Sequence, residues 1–315
     1  MLVSNFFRSE LLLENNIAGT WTFKNGIGAI ASQSIFYLLV AFFFVSAIII
    51  CLFRKIIKEN YSRQNKILFM PKHLFWRILG LLLLLGIVWR GSLVYIIDYE
   101  YKYEVLPFHL CRIMILFISI SFIFNKIELI KYYGFIAVPA AIIALFVPNI
   151  GVNTGADNYW FWDYLLAHLF VFIMPFVLFA ISTFDYKFKD SVVTQILFVT
   201  LCLTMFVINY ITNTLNTPKE WKTNYFYFAL DEYNDILKII PFLIWPFHIL
   251  IFIFLGIVLM SIFILFWILS DKFYLYKSNE KIQFYKSDSK MWIHYKESFK
   301  NFFKPQNHNL DEKKN

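Results

Sequence analysis

The residues of this chain that can do chemistry lie where they are costly to keep. Cys111 stands beside Arg112 and two residues after His109, and His168 follows 57 residues later. Arg90, Asn209 and His248 interrupt other long apolar runs. Ionisable and polar side chains inside hydrocarbon are expensive and rarely idle. A thiol with an imidazole is a nucleophile plus a general base, the minimum for acyl transfer through a thioester. Pro107 suits the first turn of a helix. Cys111 then sits near that helix's amino terminus, where the dipole favours a thiolate, and Arg112 adds positive potential. His109 is about 200° around the helix from Cys111 and shares a face with Arg112. The expected base is therefore His168, from another helix. Arg90 and Arg112 suit a phosphate through charge-assisted bonds, or else pair with Asp98 or Asp163. His109, Asn209 and His248 complete the candidate substrate contacts. The group that orients His168 stays open, with Asn209 one possibility.

Those side chains need elements to hold them, and the composition names the kind. The chain is 59% apolar and 16% charged, where soluble domains run roughly 45–50% and about 25%. The excess falls in blocks long enough to span a bilayer. Seven spans are expected, near 34–53, 78–97, 107–124, 132–148, 161–182, 191–212 and 247–269. Each must be a helix to satisfy its own backbone in lipid, and the period-2 alternation of a membrane barrel is absent. Most of the 29 Lys and Arg fall in segments 54–73, 125–131, 183–190 and the tail from 271. That alternation assigns those segments to the cytoplasm. The expectation is an all-α, polytopic bundle of the cell membrane, with the amino terminus outside and the carboxyl terminus in the cytoplasm. It divides into an outer segment 1–33, a seven-helix domain 34–270 and a basic tail 271–315. On these spans Arg90, His109, Cys111, Arg112, His168, Asn209 and His248 fall in one layer of the outer leaflet.

Two local features refine the plan. Residues 239–246 contain two prolines and suit a re-entrant or interfacial turn. In the tail, Trp292, Tyr295, Phe299 and Phe302 recur every three or four residues with Lys290, Lys296, Lys300 and Lys304 between them. That spacing predicts an amphipathic helix on an anionic inner leaflet. The alternative is a disordered basic tail. Other polar residues have plain explanations. Cys51 and Cys202 are small packing residues, a disulfide framework is not expected, and Arg77 snorkels to the interface. No nucleotide-binding loop or metal-ligand cluster appears, so no metal, cofactor or nucleic-acid partner is expected.

The stretch Leu106-Pro107-Phe108-His109-Leu110-Cys111 resembles the Pro-x-His-x-Cys signature of the YwaF-like bacterial integral membrane proteins. The resemblance covers roughly residues 34–270. It continues with a histidine in a later span, matched by His168, and extends to Asn209 and to an Asn-Tyr motif matched by Thr223-Asn224-Tyr225. The animal relatives of that family are cysteine-centred acyltransferases acting on lyso-ether phospholipids. The resemblance implies membrane phospholipids as partners, Cys111 as the acyl-accepting nucleophile and His168 as its base. Two other classes fit the same polar layer. One is a small-solute transporter or its substrate-binding subunit. The other is a structural protein whose polar groups only lock helices together.

Overall fold

The computed structural model describes residues 27–304 apart from 98, 100, 147, 149–154, 157, 183, 229–245 and 279–280. The re-entrant turn expected over 239–246 lies, but for Pro246, outside the described residues. Among those described, seven helical segments are long and apolar enough to cross a membrane. They are α1 (Ile27–Arg63), α2 (Lys72–Ile96), α3 (Leu110–Ile123), α4 (Ile130–Phe146), α5 (Tyr159–Ile181), α6 (Phe188–Thr214) and α7 (His248–Leu269). The third reaches spanning length only with the 3-10 turn Lys102–Val105 that precedes α3. The result is a polytopic helical bundle. Large apolar side chains such as Leu38, Phe42, Leu85, Ile196 and Phe254 are exposed along its flanks. These are the faces that hydrocarbon covers, because lipid leaves helices no other way to satisfy their backbone. The core between the helices is aromatic, with Phe44 stacked on Phe172 and Phe135 stacked on Phe179.

Two spans depart from the sequence expectation. α1 continues ten residues past 53, through Arg54 to Arg63. No glycine or proline interrupts that stretch, and the tail braces it, as described below. α3 starts at Leu110, not Pro107, with His109 as its cap residue. It has 14 residues, about 21 Å at 1.5 Å per residue, short of the roughly 30 Å of a hydrocarbon core. The 3-10 turn Lys102–Val105 and the irregular backbone from 106 to 109 make up the difference. Such backbone is tolerated at membrane depth only where protein covers it. α2 provides that cover by close approach. A side chain added at Gly91 would meet the Val105 carbonyl oxygen at 2.9 Å, and one at Gly80 would meet that of Ser119 at 2.7 Å. Ser119 Oγ donates to the Gly80 carbonyl at 2.6 Å across the same seam.

The odd-numbered spans begin at one end of the bundle, the entry end, and α2, α4 and α6 begin at the other, lysine-rich end. There the tail is folded. A short hairpin, β1 (Lys66–Ile67) with β2 (Met70–Pro71), joins α1 to α2. After α7 the chain makes a longer antiparallel hairpin, β3 (Phe273–Ser278) with β4 (Lys281–Lys286), then α8 (Lys290–Phe302). Arg54 of α1 binds Asp271 and donates to Ser270 Oγ at 3.0 Å. Ser289 caps α8, accepting from Trp292 N at 2.9 Å while donating to the Ile268 carbonyl. The tail spacing thus falls on a helix, α8. Part of its aromatic stripe rests on protein: Tyr295 stacks on Tyr186, and Phe299 and Phe302 meet Phe188 at the start of α6.

The close seam makes a specific prediction. Gly91→Val should lower the thermal midpoint of the purified protein sharply, because a β-carbon there collides with backbone rather than with a movable side chain. Gly86→Ala, with nothing within 4 Å, should leave it unchanged or raise it, by about 0.5–1 kcal/mol of helix propensity. Equal loss in both variants would refute close approach at Gly91.

Candidate functional site

The short α3 leaves the entry end with a pocket of irregular backbone, and charged side chains converge on it. Arg90, six residues before the end of α2, binds the Glu104 carbonyl oxygen and donates to Glu104 Oε2 at 2.7 Å. Its guanidinium lies 5.5 Å from the Trp160 ring, and its Nε sits 3.7 Å from Asp163 Oδ2. The other Glu104 oxygen meets His109 Nε2 at 2.7 Å. A carboxylate held by a guanidinium only accepts, so His109 carries its proton on Nε2. Arg112 binds Asp163 from α5. Two guanidiniums and two carboxylates therefore cancel in one largely buried network that links α2, the 102–109 segment, α3 and α5. Arg112 takes Asp163, one of the two partners open to it in the sequence; Asp98 lies outside the described residues.

The loop after α6 closes over this network. Asn209 is buried, and its amide reads one backbone residue from both sides. Nδ2 donates to the Tyr225 carbonyl at 2.8 Å, and Oδ1 accepts from Tyr225 N at 2.9 Å. Oδ1 also accepts from Thr223 Oγ1 at 2.9 Å. Tyr225 is fully buried. Its ring packs edge-on to Tyr103, Phe108 and His109 at 5.5 Å, and its hydroxyl donates to the Tyr103 carbonyl at 2.8 Å. Burial pushes the Tyr225 phenol well above its ordinary range, so it stays a donor. The next two residues, Phe226 and Tyr227, both take left-handed backbone with φ 58°. That conformation is strained for aromatic side chains and persists only where surroundings impose it. His248, the first residue of α7, is buried beside Phe206 and Phe252. Asn209 thus holds the 223–225 stretch of this loop and makes no contact with the ionic network through the bonds described.

Cys111 is the second residue of α3 and is buried. In this first turn the backbone N–H groups of Leu110, Cys111 and Arg112 have no acceptor one turn back; Ile113 N donates to the carbonyl of the cap residue His109 at 2.9 Å. His168 lies on α5, nine residues past its start and five past Asp163. Its Nδ1 is 2.6 Å from the Tyr164 carbonyl oxygen. A carbonyl only accepts, so Nδ1 carries the proton and Nε2 the lone pair. The orienting partner of His168 is this backbone carbonyl, which side-chain spacing does not reveal. No hydrogen bond joins Cys111 to His168 among the described residues. Arg112 and Asp163 set α3 and α5 in register, and from that level His168 lies about five residues deeper than Cys111's turn.

Of the seven candidate residues, the fold gathers Arg90, His109 and Arg112 into direct contact chains and places Cys111 beside them. Glu104 and Tyr103, read from sequence as part of a connecting segment, prove central. The available signal was an acid five residues before His109, at the entrance to the third span. Cys51 and Cys202 are buried and free, away from this cluster. Among the described residues no group of three His, Cys, Asp or Glu side chains is placed to hold a metal ion.

These features define a multi-pass helical membrane protein with a buried, charge-neutral polar site at one end. The chain belongs to the TMEM164 family, whose family model matches residues 29–264. No curated protein and no solved structure matches it. The match runs from the start of α1 into α7, so it takes in every site residue named above and leaves out the β3–β4 hairpin and α8.

Two substitutions test the site's construction. Glu104→Ala strips partners from Arg90 and His109 together, and should cost about 3–5 kcal/mol of stability, as for a buried ion pair that loses one member. The exposed Glu297→Ala is the silent control. Asn209→Leu keeps the volume but leaves the Tyr225 backbone unpaired, worth about 1–3 kcal/mol. Hydrogen–deuterium exchange over 223–228 should rise about ten- to hundredfold while exchange in α3 is unchanged. Unaltered exchange there would mean that Asn209 does not hold the loop.

Proposed function

We propose that this protein is a membrane-embedded phospholipid acyltransferase, akin to the YwaF-like proteins, with Cys111 as nucleophile and His168 as general base. Two observations support this reading: a thiol in the first turn of α3, and on α5 a histidine whose Nδ1 is fixed on the Tyr164 carbonyl. That tautomer presents a basic Nε2. Substrate binding must bring Nε2 within reach of the sulfur, since catalytic bonds often tighten only in the complex.

The chemistry then balances without a cofactor. Nε2 takes the Cys111 proton, and the thiolate attacks the acyl carbonyl of a donor phospholipid. The C–S bond forms, the ester C–O bond breaks, and the leaving hydroxyl receives the proton. A lysophospholipid hydroxyl next gives its proton to Nε2 and attacks the thioester, releasing Cys111. The first-turn N–H groups of α3 stabilise the oxyanion in both steps. The charge network sets the α3 amino terminus against α5, and the Tyr225 loop seals it. Arg90 and Arg112 are each held by a carboxylate, so they serve as positioning groups; a phosphate would have to displace Glu104 or Asp163. That cost also places the solute-transporter reading second, because its ligand would need the same arginines. The lysine-rich end faces the cytoplasm on this reading, and the entry end opens toward the outer leaflet, where acyl esters lie.

Transfer of labelled acyl chains between phospholipids in proteoliposomes tests the chemistry. Cys111→Ser should abolish turnover with the protein still folded, and His168→Ala should abolish or sharply reduce it. Cys51→Ser and Cys202→Ser should be nearly silent. Full activity in Cys111→Ser, or no transfer by wild type across a panel of donors and acceptors, would remove the acyltransferase reading in favour of the transporter.

Orientation has its own measurement. Single cysteines at 103 and 218 should react with an impermeant maleimide in intact cells, although burial of Tyr103 will slow the first. Sites at 60 and 290 should react only after the cells are opened. Labelling of 290 from outside would reverse the assignment.

A further inference from the structure

The hairpin after α7 has two faces of different character. In an antiparallel pair, opposed residues share a face and neighbours along a strand alternate. The pairing Phe273 to Lys286, Leu275 to Phe284 and Lys277 to Ile282 puts these six residues on one side. The other side carries Tyr274, Tyr276, Gln283 and Tyr285. That tyrosine side is covered by α1: Lys55 Nζ lies 3.1 Å over the Tyr274 ring, and Tyr276 OH donates to Glu59 at 3.1 Å. The first side stands open. Phe273, Ile282 and Phe284 are 42%, 58% and 60% exposed, with the Phe273 and Phe284 rings stacked on each other.

We propose that this Phe273–Ile282–Phe284 face, flanked by Lys277 and Lys286, seats on the anionic headgroup layer of the leaflet into which α7 emerges. Position favours that occupant. β3 begins after a single 3-10 turn, Ser270–Lys272, beyond the end of α7, so the hairpin leaves the span at headgroup level. Charge favours it as well. Among the described residues the face carries two lysines and no acid, the pattern that anionic lipid attracts, while apolar side chains at that depth enter the acyl boundary. Arg54, Asp271 and the α1 contacts brace the hairpin from behind. Binding there would fix the cytoplasmic ends of α1 and α7 together. The proposal does not depend on the acyltransferase reading.

Spin labels on single cysteines in nanodiscs test it, because the three native cysteines are buried. Labels at Ile282→Cys and Phe284→Cys should collide more with oxygen than with an aqueous nickel chelate when phosphatidylglycerol is present. A label at Gln283→Cys, one residue away on the other face, should not. Lys277→Gln and Lys286→Gln should each lower the immersed fraction about fivefold, as for one surface lysine. Nanodiscs of phosphatidylcholine alone should lower it similarly. Labels at 282 and 284 as open to nickel as that at 283 would overturn the proposal. So would immersion indifferent to lipid charge and to the lysines, or spin–spin broadening that reveals a second copy of the chain on this face. Monodisperse elution and an unchanged thermal midpoint establish that each variant is folded.

Discussion

The grip of Arg90 on Glu104 is the interaction on which the entry end depends. A bilayer allows irregular backbone only where protein satisfies it, and α3 is too short to span alone. Arg90 meets the problem with one side chain, binding the carbonyl and the carboxylate of the same residue. Gly91, next along α2, leaves room for the Val105 carbonyl. The pair fixes where the 102–109 segment ends, and so where α3 begins and which turn Cys111 occupies. Asp163 extends the same network to α5 through Arg112, which sets the level of His168.

A second constraint comes from the far side of the sequence. Tyr225 reaches the Tyr103 carbonyl with its hydroxyl while Asn209 holds its backbone. The irregular segment is thereby covered from above as well as from α2. The two left-handed residues that follow are the local cost of turning the chain there. Strain of this kind collects where a precise side-chain position matters more than backbone comfort. The position held here is that of an aromatic ring against His109.

The two ends of the bundle handle charge in opposite ways. At the entry end, two arginines are matched by two carboxylates and buried. At the lysine-rich end, Arg54 and Lys131 have acid partners, Asp271 and Asp190, while the described residues of the open hairpin face include two lysines and no acid. Neutralised charge suits a group held inside protein, where an unpaired ion is costly. Uncompensated charge suits a surface that meets anionic headgroups. The bundle thus joins a preorganised interior at one end to a surface at the other.

Much of this protein was legible without coordinates. Blocks of apolar residues at spanning length determine the helices, because lipid permits little else. The scarcity of polar residues within those blocks draws attention to Arg90, His109, Cys111, Arg112 and His168 by type alone. Tertiary structure decided what each of them touches. Glu104, just outside the expected third span, is drawn inward by the shortness of α3 and meets Arg90 and His109. Asn209 shared the polar layer by depth, yet its partners include the backbone of the loop after α6, and His248 is buried beside Phe206 and Phe252. The partner of the His168 ring is a carbonyl of its own helix, and every residue carries a carbonyl, so composition gives it no mark. Depth along a helix follows from counting residues. Which way a side chain turns, and which backbone group it meets, depends on how neighbouring helices pack, and that is a property of the whole chain.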